Sequence, residues 1–368
     1  MSAAVQLAVY VLAIFGLLTA VGIGPAISLG GRIPAPALMA PALGLAILAA
    51  VLVSLSYVMT MSHAAWLALA PLACASVIVA VLAGGRRRVD ARELAVPLSI
   101  SALGLVVACL PAVLLHTTGP TTLAILDVWG YIPADLWLQH HTATAAVPPG
   151  AVRYDLVSSA GHYWMTGDQR IGSMAVSAAL ASILHTSPDE THLAFLATLY
   201  AIVPSSIWVL ARAAGAGRLA AGVGAAFGLS PTLLMLVFDS TEANLIGLAL
   251  APLGVLMMTR AAITGSLREA ILAAVFVAGL IAGYPEYLLP YGLVSALAIG
   301  AGALAEVLAH RAGWGRIGTI ALRGAGILAA GLAVTPVASD RMRVFLPSVR
   351  NVANISDLPD RWLTLSDF

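Results

Sequence analysis

The sequence predicts an all-α protein that crosses a membrane several times. Of its 368 residues, 60% are hydrophobic and only 10% are charged, and the mean hydropathy is +0.97. In soluble domains, about a quarter of all residues are charged. A helix needs roughly 20 apolar residues to cross a bilayer, and such runs recur along the chain. The net charge of +1 argues against a nucleic-acid partner, because no basic surface is left to neutralise phosphates.

The apolar runs predict ten membrane-spanning helices. They cover residues 4–29, 36–59, 65–83, 94–115, 192–213, 218–238, 243–259, 269–283, 287–308 and 319–338. The chain then divides into N-terminal transmembrane helices (1–115), an external loop with an interfacial helix (116–191), C-terminal transmembrane helices (192–338) and an external tail (339–368). The first run has no basic segment before it and no clear cleavage site, so we expect a retained helix rather than a signal peptide.

Short loops with arginine alternate with loops that carry acids or tyrosine. Arg86, Arg87 and Arg88 lie between the third and fourth runs. Short arginine-bearing loops stay in the cytoplasm. In a plasma-membrane protein the long loop at 116–191 and the acidic loops at 239–242 and 284–286 would therefore all be extracytoplasmic.

The apolar segment 171–185 is decisive for this topology. As a helix its 15 residues would measure about 22 Å, which is short of the roughly 30 Å hydrocarbon core. If it did span, every later arginine loop would move to the outside. We therefore expect an interfacial or re-entrant helix that belongs to the external loop.

The external loop begins with an acid at the membrane boundary. Asp127 lies within the sequence LDVWGY, next to aromatic residues that prefer the interface. If this segment is helical, Asp127 and Tyr131 share a face, and we expect Pro133 to end the helix before Asp135. A carboxylate beside aromatic rings can have a raised pKa and abstract a proton. The alternative is an interfacial anchor with a solvated acid.

A second polar cluster leads into the short apolar helix. It contains Tyr163, Asp168 and Arg170. A helix N-terminus attracts anions, and Arg170 can form a forked pair with a phosphate. Asp168 could bind a divalent ion or pair with Arg170, and an Asp–Arg pair that only fixes the turn is the structural alternative.

Three histidines of the external loop are candidate phosphate ligands. His140 and His141 follow Asp135, and His162 belongs to the second polar cluster. None has the spacing of a zinc motif such as HExxH, so we expect phosphate contacts or plain loop structure rather than zinc.

Two later external loops carry acids as well. Glu242 stands at the start of a helix, where helix capping alone would explain about half of this pattern. Tyr284 and Glu286 flank a proline near the bilayer boundary, and such breaks are tolerated where the backbone lines a cavity. Because these loops share one side of the membrane with Asp127, we expect the acids to converge on one external pocket.

The order of these features resembles the GT-C superfamily of polytopic membrane glycosyltransferases. Asp127 is similar to the catalytic acid that begins the family's first external loop, and residues 168–172 are similar to the Arg-Pro-Gly-type segment of many relatives. The resemblance covers roughly residues 120–290. It implies transfer of a sugar from a polyprenyl-phosphate donor to an extracytoplasmic glycan, lipid or protein acceptor.

The resemblance also implies a role for each candidate residue. Asp127 would be the general base, and Arg170 with His141 or His162 would hold the departing phosphate. The remaining candidates would contact substrate: Asp135, His140, Tyr163, Asp168, Glu242, Tyr284 and Glu286. The sequence does not identify a cofactor, although Mg²⁺ or Mn²⁺ would suit these oxygen ligands.

Two other functions stay open at this point. A transporter or lipid-linked-sugar flippase would carry acids near the bilayer midplane and inverted repeats, and a non-catalytic membrane subunit would carry a degenerate site. Members of the superfamily often continue with further helices or an external domain, so we expect that a chain ending at Phe368 is a fragment or a reduced member.

Overall fold

The computed structural model describes residues 2–28, 33–84, 91–120, 125–147, 151, 155–167, 171–309, 313 and 315–340. In these ranges the regular elements are helices, and no strand occurs. Fifteen α-helices are numbered in chain order: α1 Ala3–Ser28, α2 Ala40–Leu55, α3 Met61–Ala64, α4 Ala70–Gly84, α5 Ala91–Leu114, α6 Ile125–His140, α7 Leu156–Gly167, α8 Ile171–Ile183, α9 Pro188–Ala213, α10 Arg218–Phe227, α11 Pro231–Phe238, α12 Glu242–Thr264, α13 Leu267–Gly283, α14 Leu288–Leu308 and α15 Gly315–Val334. Short 3₁₀ or π-helical turns at Pro36–Met39, Ala65–Leu69 and Pro285–Tyr287 join some of them.

Eight of the described helical stretches are long and apolar enough to cross a membrane. They are Ala3–Ser28, Pro36–Leu55, Met61–Ala83, Glu93–Leu114, Pro188–Ala213, Glu242–Thr264, Pro285–Leu308 and Gly315–Val334. The count rises to nine if α10 and α11, which are bent by 40° at their junction, form one span. The prediction of an all-α polytopic membrane protein is confirmed, whereas the number of ten spans is not.

The remaining predicted span, 269–283, corresponds to α13. Its 17 residues measure about 26 Å, less than the hydrocarbon core. This helix lies inside the bundle and packs against α2, α12 and α15. Twelve of its residues are buried, including an unbroken run from Phe276 to Gly283.

Glycines let the first two helices approach each other closely. A Cβ atom at Gly22 would lie 1.9 Å from the backbone oxygen of Ala40, and one at Gly44 would lie 1.9 Å from that of Leu18. No other residue fits at these positions without separating the helices. Such small-residue contacts are the usual way in which membrane helices bring their backbones together.

The short helix α8 is buried on all sides. Every residue from Ile171 to Ser182 is buried, and the helix packs against α2, α6, α9 and α13. Its small side chains permit this: a Cβ at Gly172 would lie 2.2 Å from the backbone oxygen of Ala282. A purely interfacial helix would keep one face exposed, so the burial of α8 favours the re-entrant alternative.

Helix α6 does not end at Pro133, contrary to the sequence-based prediction. It runs without interruption from Ile125 to His140. An interior proline loses one helical hydrogen bond and costs roughly 3 kcal/mol. Here the residues around it, among them Tyr131, Trp137 and Leu138, are buried against neighbouring helices, and this burial outweighs the loss.

Ion pairs between arginine and glutamate gather at one end of the bundle. Glu93 accepts hydrogen bonds from Arg212 and Arg218, and Arg260 binds Glu269 at 2.7 Å. We call this the arginine end. The opposite ends of α9 and α12 begin with acidic first turns, and we call this the acidic end. A 26-residue helix such as α9 separates the two ends by nearly 40 Å.

Candidate functional site

Three ionisable side chains meet inside the protein at the acidic end. Asp135 comes from α6, His192 from α9 and Glu242 from α12, and each is fully buried, with 0% of its surface exposed. One ligand atom from each lies within 4.8 Å of the others. The Nδ1 atom of His192 is 4.0 Å from a carboxylate oxygen of Glu242. We call these residues the Asp–His–Glu cluster.

The starts of two helices position two members of the cluster. Helix α9 begins at Pro188, and His192 follows one turn later among buried apolar residues. Helix α12 begins at Glu242 itself. Just before it, Ser240 has a positive φ of 56° and a buried side chain. A non-glycine residue rarely adopts that conformation, and such strain is often found at functional sites.

Ser177 of α8 orients the third member. Its hydroxyl donates a 2.5 Å hydrogen bond to one carboxylate oxygen of Asp135. The other carboxylate oxygen has no hydrogen-bond partner among the described residues. Burial raises the pKa of Asp135, and the nearby Glu242 carboxylate raises this pKa further, while the Ser177 bond acts in the opposite direction.

The imidazole of His192 is buried without a hydrogen bond from the described residues. Neither ring nitrogen makes a hydrogen bond with any described residue, although both are buried. Buried polar side-chain atoms nearly always have a partner, so each exception calls for a physical reason. The 4.0 Å approach of Glu242 is too long for a hydrogen bond.

Backbone and side-chain bonds tie the surrounding elements together. The Gln139 amide on α6 donates to the backbone oxygen of Thr186 in the turn between α8 and α9, at 3.0 Å. Tyr10 of α1 donates to Glu190 of α9, also at 3.0 Å. After α6, the backbone N–H of Ala143 donates to the backbone oxygen of Ser56 at 2.7 Å. These hydrogen bonds hold the elements around the cluster in place.

Aromatic packing fixes α6 against α7. The ring of Trp137 stacks on that of His141, with centroids 4.0 Å apart. A Cβ at Gly161 of α7 would lie 2.3 Å from the Trp137 ring, so α7 lies directly against the indole. Because Asp135 is two residues before Trp137, this contact also limits the movement of the cluster.

The structure brings together two of the residues singled out from the sequence, Asp135 and Glu242. Asp127 belongs to α6 and precedes Asp135 by two helical turns, about 12 Å along the axis. The side chains of Asp127 and Tyr163 lie outside the described residues, as do the whole of Asp168 and Arg170.

The other predicted residues are spread along the surface and the adjoining turn. His140, His141 and His162 are exposed. Tyr284 and Glu286 are half-buried in the turn after α13. A Cβ at Gly247 would lie 3.0 Å from the Tyr284 ring, so this turn packs on α12 about 7–8 Å beyond Glu242 along the helix axis.

The sequence-based prediction missed His192. Hydropathy indicates only that this residue begins an apolar span. An ionisable side chain inside such a run is itself a signal, because burying it at membrane depth is expensive and usually serves a function. Its partners could not be identified from spacing, since they lie on two other helices.

Comparisons with protein-family models, curated proteins and solved structures found no match to this chain. Two carboxylates and an imidazole that share one buried space are suited to two tasks. They can hold a divalent metal ion, or they can pass protons within the membrane.

Proposed function

We propose that the chain is a membrane glycosyltransferase that transfers a sugar from a polyprenyl-phosphate donor to an extracytoplasmic acceptor. The observation that carries the proposal is the concentration of buried acids at the acidic end, where Asp135 lies on the same helix as Asp127 and Glu242 begins α12. Enzymes place such groups where a proton must be moved or a developing charge stabilised.

The sidedness of the bundle supports an extracytoplasmic site. The arginines of the short loops pair with glutamates at the arginine end, and such loops stay in the cytoplasm. The Asp–His–Glu cluster lies at the other end of the same helices. His192 and Arg212 are separated by about 30 Å along α9, close to the thickness of a hydrocarbon core.

In this proposal Asp127 takes the proton from the acceptor hydroxyl as the new glycosidic bond forms. The bond between the sugar and the donor phosphate breaks, and the departing phosphate keeps the electron pair. Arg170, with His141 or His162, would neutralise that phosphate. Asp168, Glu242 and Glu286 would contact the sugar or the acceptor.

The test replaces the proposed base. Asp127→Asn keeps the size of the side chain but cannot accept the proton, and general bases contribute about 10²–10⁴-fold to rates. We expect a loss of that order in transfer from polyprenyl-phosphate sugars by protein reconstituted in lipid. Asp189→Asn, which removes an exposed acid at the acidic end, is the matched control and should retain activity. Equal rates in the two folded variants would refute the role of Asp127.

One observation favours a second candidate, a transporter. The cluster is fully buried between helices, as proton-relay residues are in pumps. Proteoliposomes separate the two functions. Movement of a lipid-linked sugar across the bilayer without covalent change would indicate transport, whereas a new glycosidic product would indicate transfer.

A further inference from the structure

We infer that Asp135, His192 and Glu242 form the binding site of a single divalent transition-metal cation, Mn²⁺ or Zn²⁺. The inference does not depend on the proposed glycosyl transfer, because it concerns what these three side chains bind. It rests on their convergence, on the unsatisfied imidazole and on the charge of the buried acids.

The geometry of the three side chains suits a single ion. Each residue offers a ligand atom, and these atoms lie within 4.8 Å of one another. Donor atoms around one tetrahedral ion, with bonds of about 2.1 Å, are about 3.4 Å apart. Each pair of donor atoms thus needs to approach by no more than about 1.4 Å to share an ion. Movements of this size are within the reach of side-chain rotation.

The imidazole of His192 is suited to bind a metal ion. Both of its ring nitrogens are buried without a hydrogen bond from the described residues. Leaving a polar group unsatisfied in the interior costs on the order of 1–3 kcal/mol. A metal ion accepts the lone pair of a neutral imidazole and removes this penalty for one nitrogen. The exposed histidines of the acidic end, such as His140, have water for this purpose and His192 does not.

The charge of Asp135 also calls for a cation. Asp135 is fully buried, and a carboxylate taken out of water stays charged only when it is paired or bound to a metal. In the described part of the chain no arginine forms an ion pair with Asp135, and the chain contains no lysine. A divalent cation would supply the positive charge that Asp135 lacks among the described residues.

The donor set indicates the class of metal. Mg²⁺ and Ca²⁺ prefer oxygen ligands and bind through carboxylates, carbonyls and water. Imidazole nitrogen suits transition metals, and sites with histidine and carboxylate ligands bind zinc in many enzymes. The nitrogen of His192 therefore favours Mn²⁺ or Zn²⁺ over the Mg²⁺ that an all-oxygen site would select.

A hydrogen bond within the protein already orients one of the proposed metal ligands. Ser177 binds one oxygen of Asp135, which leaves the second oxygen of that carboxylate available to the ion. Hydrogen bonds of this kind orient metal ligands. Ser177 is therefore a positioning residue and not itself a ligand.

The experiment uses the full chain purified in detergent, freed of metal with a chelator and titrated with Mn²⁺. Free Mn²⁺ is followed by electron paramagnetic resonance. We expect one bound Mn²⁺ per chain, displaced by Zn²⁺ but not by the same concentration of Mg²⁺. Asp135→Asn, His192→Gln and Glu242→Gln should each weaken binding at least 10-fold, while Asp189→Asn should bind like the wild type.

A second measurement needs no variant and covers the case in which a variant does not fold. Pulsed paramagnetic resonance of Mn²⁺ bound to the wild-type protein should reveal coupling to one imidazole nitrogen. Absence of stoichiometric binding, absence of nitrogen coupling, or undiminished affinity in folded His192→Gln would each overturn the inference. Equal displacement by Mg²⁺ would overturn the choice of metal. None of these results depends on glycosyl transfer.

Discussion

Replacing Ser177 with alanine should weaken metal binding without unfolding the bundle. The Ser177 hydroxyl is 2.5 Å from the Asp135 carboxylate, a length typical of a hydroxyl bound to a charged oxygen. Ser177→Ala removes this bond and leaves the Asp135 side chain freer to rotate within the cluster. The ligand atoms themselves stay in the protein.

The size of the effect follows from this single bond. A hydrogen bond to a charged group contributes about 1.5–3 kcal/mol, which corresponds to roughly 10- to 100-fold in affinity and agrees with the usual effect of losing a group that orients a metal ligand. Alanine favours a helix slightly more than serine does. We therefore expect the unfolding temperature of the metal-free protein to change by only a few degrees.

The assay is the Mn²⁺ titration combined with thermal unfolding in detergent. Ser182→Ala is the matched control, because Ser182 lies on the same helix, is buried, and donates its hydrogen bond to the backbone oxygen of Ala178 instead. This control should bind Mn²⁺ with the affinity of the wild type. If the two serine variants bind Mn²⁺ equally well, Ser177 does not position a metal ligand, and this part of the proposed site is refuted.

Two further predictions concern packing and sidedness. Gly44→Ala places a methyl group 1.9 Å from the backbone oxygen of Leu18 and should destabilise the fold by about 1–3 kcal/mol. Gly16→Ala, which meets nothing within 4 Å, should be neutral or slightly stabilising, and equal unfolding temperatures would contradict the close α1–α2 contact. With both native cysteines replaced, an impermeant maleimide should label Thr144→Cys at the acidic end in intact cells but Ala214→Cys at the arginine end only after lysis. The reverse pattern would refute the assigned orientation.

Much of the fold follows from the length of the apolar runs. The run at 94–115 became α5, Ala91–Leu114, because a segment of this length and composition is stable in a bilayer only as a helix. A break inside an apolar run was harder to predict. The run at 218–238 bends between α10 and α11, where the Ser230 hydroxyl caps the second helix and Pro231 occupies its first turn. A serine followed by proline is a helix-start signal. Hydropathy alone does not detect this break, because the residues on both sides of it are apolar.

The course of α6 depended on packing that the sequence does not reveal. Proline usually ends a helix, and local propensity therefore predicted a stop at Pro133. The structure continues because Trp137 packs against Gly161 of α7. The burial of α8 also depends on packing that the sequence does not reveal. The length of this helix argues against a span, but it does not indicate that every side of the helix is buried.

The site was only partly predictable. The sequence indicates Asp135 and Glu242 as acids of the external loops that could contact substrate. Their convergence with His192 arises from the packing of α6, α9 and α12, and no spacing within one segment encodes it. A histidine at the start of an apolar run was the one local signal, and its partners become visible only in three dimensions.

Anomalous X-ray scattering from crystals grown with Mn²⁺ would test the Asp–His–Glu cluster most directly. The account predicts one strong anomalous peak between Asp135, His192 and Glu242, with each side chain within bonding distance of it. A peak elsewhere in the protein, or three side chains too far apart to reach one ion, would contradict the assignment.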